Sequence, residues 1–382
     1  MHILEIPSFF TPYGGEFCLE QAKALKALGH EVRILSCVQL GATIGLKDYL
    51  CLPYRRYEHL RDEVTICQSF QRGLPKMVRH NVKRWVGIVY SMFCDYVKKY
   101  GKPDILHAHC AKWAGYAAMR LGKAYGVPYV ITEHLPLMVL EDEFGKAPST
   151  AWQIPLLKQA YEQAAMVLPV SEELVEDIAC YFGKGYRWQY LSNVVDTDFF
   201  HYQPRPSRES RSFRFCCVAD NSYRKGYDML IPAFEQLRGS GANAELKLAG
   251  RGTDTAKFRT QLSEGMVSYG WVDRVAVREL LYESDALVLA SRSEVQPLVL
   301  LEAMSTGIPV ISTECVPQNL RIDHGCVIVP MDDIDALSAA MRQVMELDAD
   351  GKAISESIWH LASPEVVGRK LERLFSDIIA LR

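Results

Sequence analysis

The sequence predicts an α/β protein with two doubly wound halves, each a parallel sheet that carries helices on both faces. Short apolar segments of strand length alternate with longer segments of helical spacing. The alternation stops at residues 201–212 and starts again behind them. Alternation of this kind is typical of parallel strands that are connected by crossover helices. In open parallel sheets ligands bind beyond the carboxyl ends of the strands, so we expect the functional residues there.

The first half opens with a strand and a helix. Residues 3–6 form a short apolar segment, and the helical spacing of residues 17–28 ends at a glycine. A second strand is expected at 31–37. The next elements are predicted in the order strand, helix, strand, at residues 104–107, 111–125 and 129–132. Gly126 and Pro128 end this helix where a stop is expected.

Residues 201–212 are rich in Pro, Ser and Arg and contain few apolar residues, so we interpret them as a linker. The predicted domains are therefore residues 1–200 and residues 213–363. The second domain is predicted to contain strands at 213–218, 246–249, 286–290 and 309–311, and helices at 227–237 and around 300–305.

Length and composition exclude several classes of protein. At about 150 residues per domain, 382 residues suggest two or three domains. The chain has 43 basic and 46 acidic residues, which argues against a nucleic-acid partner bound through bulk positive charge. A hydrophobic content of 49% argues against a disordered chain. We find no apolar run of bilayer length, and the first residues, MHILEIP, resemble a strand rather than a signal peptide.

The cysteines indicate a reducing compartment. There are 11 of them, an odd number, and none forms a C-x-x-C pair. We therefore expect a cytoplasmic protein whose cysteines are small apolar core residues. His107, His109 and Cys110 are the only local candidates for a zinc site, and without a second cluster we expect no metal.

Three motifs follow predicted strands of the first half. Gly14 and Gly15 precede a helix, where a backbone without side chains can approach a phosphate closely; a plain turn is the alternative. His107 and His109 lie on one face of their strand, and His109 is the better candidate for reaching a ligand, whereas His107 fits a buried, hydrogen-bonded role. The triplet Thr132–Glu133–His134 either lines the floor of a site or forms a hydrogen-bonded turn.

Two motifs follow predicted strands of the second half. Arg224 and Lys225 precede Gly226 and a helix, so they can face an anion or form a solvated basic turn. The stronger motif runs from Ser291 to Met304. It places Glu294 on a loop and Glu302 eight positions later within a helix, where carboxylates can accept hydrogen bonds from sugar hydroxyls. The start of that helix can face a diphosphate.

Taken together, these motifs resemble the retaining glycosyltransferases of family 4, which have the two-domain GT-B fold. The resemblance covers nearly the whole chain. It includes the Gly14–Gly15 loop, the His-Ala-His strand, residues 193–200, the Lys225–Gly226 loop and residues 291–310. It implies two Rossmann-like domains that face each other across a deep cleft, with the last helix, 364–382, crossing back to the first domain.

The resemblance also implies the reaction and the role of each residue. A sugar would pass from a nucleotide-sugar, a UDP-sugar or GDP-sugar, to a hydroxyl of a glycan or lipid-linked acceptor, without metal or cofactor. Lys225 would neutralise the leaving diphosphate, Glu294 would contact the donor sugar, and His109 would lie beside the sugar and the acceptor. The expected contacts to the ribose and the diphosphate come from Glu302, from the backbone at Leu298 and Val299, and from Gly15.

The sequence departs from the family pattern at two positions. Asp220 stands where family members usually carry an arginine, and we expect Arg224 to supply the missing charge. The loop after Glu294, usually Gly-Phe-Gly, reads Val-Gln-Pro here, so Gln296 adds a polar side chain toward the donor sugar.

Residues 76–99 predict a basic amphipathic helix. Lys76, Arg79 and Lys83 share one face, and an apolar stripe includes Val78, Val82, Trp85, Val89 and Phe93. Such a helix can rest on anionic lipid at the inner face of a membrane, or it can bury its stripe in the core.

Two alternative functions remain open at this point. One is another GT-B enzyme, such as a nucleotide-sugar epimerase or a phosphorylase. The other is a non-catalytic binding protein with the same fold, which Asp220 favours. The joint presence of His109, Lys225, Glu294 and Glu302 favours the transferase.

Overall fold

A computed structural model describes residues 1–10, 15–41, 46–52, 54–145, 148–205, 211–323 and 325–381. The chain forms two compact units. The first comprises Met1–Val194 together with Pro364–Arg382, and the second comprises Val195–Ser363. Each unit contains one sheet.

The sheet of the first unit has seven strands in the order β3-β4-β2-β1-β5-β6-β7. All neighbours pair in parallel except β3 and β4, which form an antiparallel pair at one edge. The strands are β1 (His2–Pro7), β2 (Glu31–Leu40), β3 (Arg55–Arg61), β4 (Val64–Arg72), β5 (Ile105–His109), β6 (Tyr129–Glu133) and β7 (Met166–Pro169).

Helices cover this sheet. They are α1 (Glu16–Ala27), α2 (Leu46–Cys51), α3 (Val78–Tyr100), α4 (Tyr116–Tyr125), α5 (Leu137–Leu140), α6 (Ile154–Glu162), α7 (Glu173–Asp177), α8 (Ala179–Phe182) and, from the C-terminal segment, α15 (Pro364–Ala380). Val367, Leu371 and Phe375 of α15 lie in one core cluster with residues of α1 and β2. The predicted helix at 111–125 is shorter in the structure, because Lys112 has an extended backbone conformation and α4 begins only at Tyr116.

The apolar stripe of α3 faces the core of the first unit. Val82, Trp85, Val89 and Phe93 are buried, and the indole nitrogen of Trp85 donates to the Cys37 carbonyl at 2.7 Å. The stripe is therefore explained by packing and is not available to a lipid surface, apart from the half-exposed Val78. A membrane contact of this helix remains a prediction that rests on its exposed basic side chains alone.

The sheet of the second unit has six parallel strands in the order β10-β9-β8-β11-β12-β13. The strands are β8 (Phe213–Val218), β9 (Ala244–Ala249), β10 (Met266–Ser268), β11 (Ala286–Leu289), β12 (Val310–Thr313) and β13 (Cys326–Val329). The helices are α9 (Tyr227–Gly239), α10 (Ala256–Arg259), α11 (Arg274–Glu283), α12 (Leu298–Ser305), α13 (Ile334–Glu346) and α14 (Gly351–Ala362). Two core clusters fill the unit.

The described ends of the expected linker are fixed to the second unit. Arg205 donates to the carbonyls of Tyr282 and Ser284, each at 2.6 Å, and Arg211 forms two bonds of 2.7 Å with the Asp285 carboxylate. Phe200 belongs to a core cluster of the same unit. The boundary between the units lies at Val194–Val195, six residues before the predicted end of the first domain.

Candidate functional site

The first candidate edge lies at the carboxyl ends of β1 and β5. These strands pair in parallel, with Glu5 opposite His107 and Pro7 opposite His109. Residues two apart on a strand share a face, so both imidazoles lie on the side of Glu5. All three side chains are fully buried.

A single carboxylate oxygen contacts both imidazoles. Glu5 Oε2 lies 2.9 Å from His107 Nδ1 and 2.8 Å from His109 Nε2. The other ring nitrogen of His107 lies 2.6 Å from the Thr132 hydroxyl. Burial lowers the pKa of His109 to about 4, assisted by the neighbouring His107. For Glu5, burial acts to raise the pKa, but the contacts with His107 and His109 prevail and hold it at about 2. The edge thus contains an ionised carboxylate beside a neutral His109.

His134 is a further histidine of this edge, and one of its ring nitrogens has no hydrogen-bond partner among the described residues. Its Nε2 lies 3.3 Å from His109 Nδ1, and its ring stacks on Phe17 with 3.8 Å between centroids. Its Nδ1 is buried and has no partner among the described residues. Both ring nitrogens of His109 are engaged, so the geometry favours His134 over His109 as a ligand contact. The sequence motif included His134 without assigning it a role.

Glu133 fixes the backbone that carries His134. One carboxylate oxygen accepts from the backbone N–H groups of His134 and Leu135, each at 2.9 Å. The other accepts from the backbone of Ala111 at 2.9 Å and from the Tyr161 hydroxyl at 2.5 Å. These four bonds satisfy the buried carboxylate, so its role is to hold the turn.

Gly15 begins α1 with a φ of 82°, a conformation that favours glycine. A Cβ atom there would overlap the Phe9 carbonyl. The structure therefore requires a glycine at this position. Gly14, the other predicted phosphate contact, lies outside the described residues.

Glu5, His107 and His109 also form a group of side chains with metal-binding chemistry. The 2.8 Å contact of Glu5 with His109 is a hydrogen bond, and the 2.9 Å contact with His107 is an equally short ion-pair contact. Ligands around one tetrahedral Zn²⁺, with bonds of about 2.0–2.1 Å, lie roughly 3.3 Å apart. The contacts fit a hydrogen-bonded group better than a metal centre, and the absence of a metal remains an expectation.

The second candidate edge lies at the carboxyl ends of β8 and β11. Lys225 Nζ lies 2.6 Å from Glu294 Oε1, and Arg224 Nη1 lies 3.3 Å from Glu294 Oε2. Arg224 also donates to the Ser293 carbonyl at 2.9 Å. The structure thus brings together three predicted site residues, with Glu294 almost buried and Arg224 about one third exposed. Two cations and one carboxylate leave this cluster with a net positive charge.

Arg292, which the sequence did not single out, connects the two loops of this edge. Its guanidinium donates to both oxygens of Asp228, at 2.9 and 2.8 Å, and also to the Tyr223 carbonyl and to Asp332, each at 2.7 Å. Its backbone N–H donates to the Arg224 carbonyl at 2.8 Å. A bidentate arginine is geometrically specific, so it holds the Lys225 loop against the Glu294 loop.

The remaining predicted residues lie on or just before α12. The first N–H groups of a helix have no acceptor within it, so those of Leu298 and Val299 can face an anion. Gln296 is buried directly before the helix, and Glu302 is half-buried one turn into it.

Asp220 has a local structural role. Its carboxylate accepts from the backbone N–H of Arg251 at 3.1 Å, and the neighbouring Asn221 N–H donates to the Arg251 carbonyl at 2.8 Å. The acid therefore joins the loops that follow β8 and β9.

Comparisons with known proteins agree with these motifs. Residues 14–199 match the family described as Glycosyltransferase Family 4, and residues 212–347 match Glycosyl transferases group 1. The chain is 26% identical over 323 residues to a protein of Bacillus subtilis named for teichuronic acid biosynthesis, TuaC, covering 81% of this chain and 78% of TuaC. It is 25% identical over 246 residues to the Escherichia coli protein named for colanic acid biosynthesis, WcaL, and spans 59% of its length.

Solved structures show the same architecture. Sucrose-phosphate synthase from Thermosynechococcus elongatus aligns over 100% of both chains with a TM-score of 0.79 at 17% identity. Anabaena HepE in complex with UDP aligns over 99% of this chain and 100% of HepE, with a TM-score of 0.70 at 15% identity. The predicted fold class, two α/β units with parallel sheets as in GT-B proteins, is confirmed. No helix among the described residues is long and apolar enough to cross a membrane. With both halves matched in the order of the motifs, the chain belongs to the family 4, group 1 glycosyltransferases.

Proposed function

We propose that this protein is a retaining glycosyltransferase that moves a sugar from a nucleoside diphosphate sugar to an acceptor hydroxyl in glycan biosynthesis. The observation that carries the proposal is the cluster of Arg224, Lys225 and Glu294 beside the start of α12. The two cations and the N–H groups at the start of the helix can bind a diphosphate. The carboxylate can accept a hydrogen bond from a sugar hydroxyl.

The roles of the residues follow from their charge. Negative charge grows on the diphosphate as the glycosidic bond breaks, so a cation at Lys225 stabilises the transition state more than the ground state. Arg224 supports donor binding. Glu294 is released from its ion pairs to accept from the donor sugar, and Glu302 accepts from the ribose. This chemistry needs no metal in the proposal, because the two cations and the helix start supply the positive field.

The first unit contributes the contact to a substrate hydroxyl. We assign this contact to His134, whose buried Nδ1 has no partner among the described residues. An unpaired buried acceptor costs about 1–3 kcal/mol, which a ligand hydroxyl would recover. His109, the sequence-based candidate, then acts behind His134 rather than on the substrate.

The class of donor and acceptor is supported by relatives. HepE was solved with UDP and with UDP-glucose, and WcaL and TuaC are named for the biosynthesis of bacterial polysaccharides. We propose a UDP-sugar or GDP-sugar as donor and a glycan or lipid-linked sugar as acceptor.

A thermal-shift screen of the full chain against UDP-, GDP-, ADP- and dTDP-sugars tests the proposal. A ligand that binds only the folded state raises the melting temperature by mass action. We expect a shift with one nucleotide class that is lost in Glu302→Ala. If a donor binds but is only isomerised, the protein is an epimerase. If no nucleotide sugar produces a shift, the non-catalytic interpretation prevails. The anomeric configuration of the product, measured by NMR, tests retention.

A further inference from the structure

The buried carboxylate Glu5 has no role in the reaction proposed above, yet it lies at the origin of a chain of hydrogen bonds. Its side chain is fully buried on β1, between the apolar residues Leu4 and Ile6. Burying an ionised carboxylate is costly unless it is paired, so a carboxylate here needs a reason. Its partners are two imidazoles, and one of them, His109, leads to His134.

The protons of this chain can be placed from elementary rules. An ionised carboxylate only accepts hydrogen bonds, so the nitrogen of His109 that faces Glu5 at 2.8 Å, Nε2, carries the proton. His109 is neutral because burial lowers its pKa to about 4. A neutral imidazole has one N–H, so Nδ1 of His109 is an acceptor.

The same reasoning extends to His134. His109 Nδ1, an acceptor, lies 3.3 Å from His134 Nε2, so His134 Nε2 is the donor. Burial lowers the pKa of His134 well below its ordinary value, so this ring is also neutral. Its second nitrogen, Nδ1, is then a bare acceptor, and it is the atom that is buried without a partner.

We propose that Glu5 is a positioning residue that sets the tautomers of His109 and His134, so that the first unit presents a hydrogen-bond acceptor to the substrate. The ligand group it selects is a donor, such as a sugar hydroxyl. This last step rests on the proposed function, whereas the tautomers themselves do not. A positioning role of this kind matches the way carboxylates orient imidazoles in other sites.

The tautomers can be measured directly in the full-length protein. Histidines labelled with ¹⁵N give nitrogen chemical shifts that distinguish the Nε2–H form, the Nδ1–H form and the charged ring. Signals are assigned with His109→Asn and His134→Asn. We expect both histidines to be neutral Nε2–H tautomers at pH 7 without any ligand. A charged His134, or an Nδ1–H tautomer of either ring, overturns the inference.

Substitution of Glu5 then tests its role. In Glu5→Gln an amide that offers either an oxygen or an NH₂ group replaces the fixed acceptor, so His134 should populate both tautomers. Glu5→Asp retains the carboxylate and should retain the wild-type tautomers to a greater extent. Glu20→Gln is the matched control, because Glu20 is another buried carboxylate of the first unit that pairs with Lys23 at 3.0 Å. Unchanged His134 signals in a folded Glu5→Gln protein contradict the role of Glu5. If the variant does not fold, the tautomers measured in the wild-type protein still test the inference, because a charged His134 or an Nδ1–H tautomer overturns it.

Activity measurements separate this inference from the proposed function. Once a donor is known, Glu5→Gln should reduce kcat/KM by about 10- to 100-fold, the usual effect of removing a group that orients another ligand-binding residue. His134→Asn, whose amide oxygen can accept a hydrogen bond near the position of Nδ1, should be less impaired than His134→Gln. If the tautomers are as expected but no nucleotide sugar binds, the proposed function fails. The role of Glu5 as the residue that sets these tautomers then stands.

Discussion

Lys225 illustrates how a single residue can be placed for catalysis by the groups around it. Its ammonium lies 2.6 Å from Glu294, while the loop that carries it is held by Arg292 through Tyr223 and Asp228. The side chain is only slightly exposed, so its charge acts in a medium less polar than water. The position therefore suits stabilisation of a charge that develops during the reaction.

We predict that Lys225→Ala lowers kcat by about 100- to 1,000-fold, because it removes one preorganised partner of the leaving diphosphate. Arg224→Ala should mainly raise KM for the donor, since this more exposed side chain contributes binding. Steady-state kinetics of both variants distinguish the two effects. Lys247→Ala is a suitable control, because Lys247 forms an ion pair of similar length with Glu283 in the same unit. Equal kcat in wild type and Lys225→Ala contradicts the catalytic role.

Sequence reasoning identified the second edge better than the first. Lys225 and Glu294 lie in motifs that each follow a predicted strand, so their contact follows from the order of strands and helices. Glu5 was missed because it stands within an apolar strand segment. Its relation to His107 becomes visible only when the register of β1 against β5 is known.

At the scale of elements, the loop from β8 to α9 depends on a glycine. Gly226 has a φ of 67° and lies where the chain passes against β11, so that an added Cβ would overlap the Ala290 carbonyl. Only a residue without a side chain satisfies both constraints. The glycine thus sets the distance between the Lys225 loop and the end of β11.

We predict that Gly226→Ala destabilises the protein by about 2–4 kcal/mol, combining the strain of a positive φ with a clash against backbone. Gly239→Ala, at the other end of α9, is the matched control. An added Cβ there has open space, so this variant should be neutral or slightly more stable. Denaturant unfolding measures both changes. Equal stabilities of the two variants would show that the loop can move away from β11 at little cost.

Elements with a regular hydrophobic pattern were predicted well, and irregular ones were not. The strand at 213–218 is observed as β8 with the same bounds, and the other strands named from the sequence agree within a few residues. The antiparallel pair of β3 and β4 was missed. Arg55–Arg61 is a charged, mostly exposed edge strand, so it lacks the alternation by which strands are identified. The late start of α4 at Tyr116 was missed because the residues before it, 111–115, continue the apolar spacing of a helix, whereas the backbone at Lys112 is not helical.

At the scale of the whole molecule, each unit has its own sheet and its own core clusters. The first unit is assembled from two distant segments, since α15 supplies Phe375, whose ring contacts His107 edge-on at 5.3 Å. The buried group of Glu5, His107, His109 and His134 therefore belongs to one unit alone. Conditions that change its protonation should act mainly on that unit.

We predict that mild acid destabilises the first unit. The pKa of His109 is about 4 in the folded protein against an ordinary 6.5, so between these pH values the unfolded chain binds the additional proton. Stability then falls as pH decreases through this window, and the share of His109 is at most about 3.5 kcal/mol, since one pKa unit corresponds to about 1.4 kcal/mol. Glu5, with a pKa of about 2, adds a further loss below pH 4.5.

Hydrogen exchange at pH 6.5 and pH 4.5, corrected for the intrinsic pH dependence of exchange, reports the two units separately. Amides of β1 and β5 should lose protection at the lower pH, whereas those of β8 and β11 should change less. In the second unit, Arg292 lowers the pKa of Asp228 through its hydrogen bonds. The stability that this pair contributes is therefore lost only below about pH 3.8, the ordinary pKa of an aspartate. His109→Gln removes the titrating ring and should reduce the difference between the two pH values in β1 and β5. Equal loss of protection in both sheets would assign acid sensitivity to groups other than this buried cluster. Persistence of the full pH effect in His109→Gln would assign it to groups other than His109, with His134, whose pKa burial also lowers, as the next residue to replace.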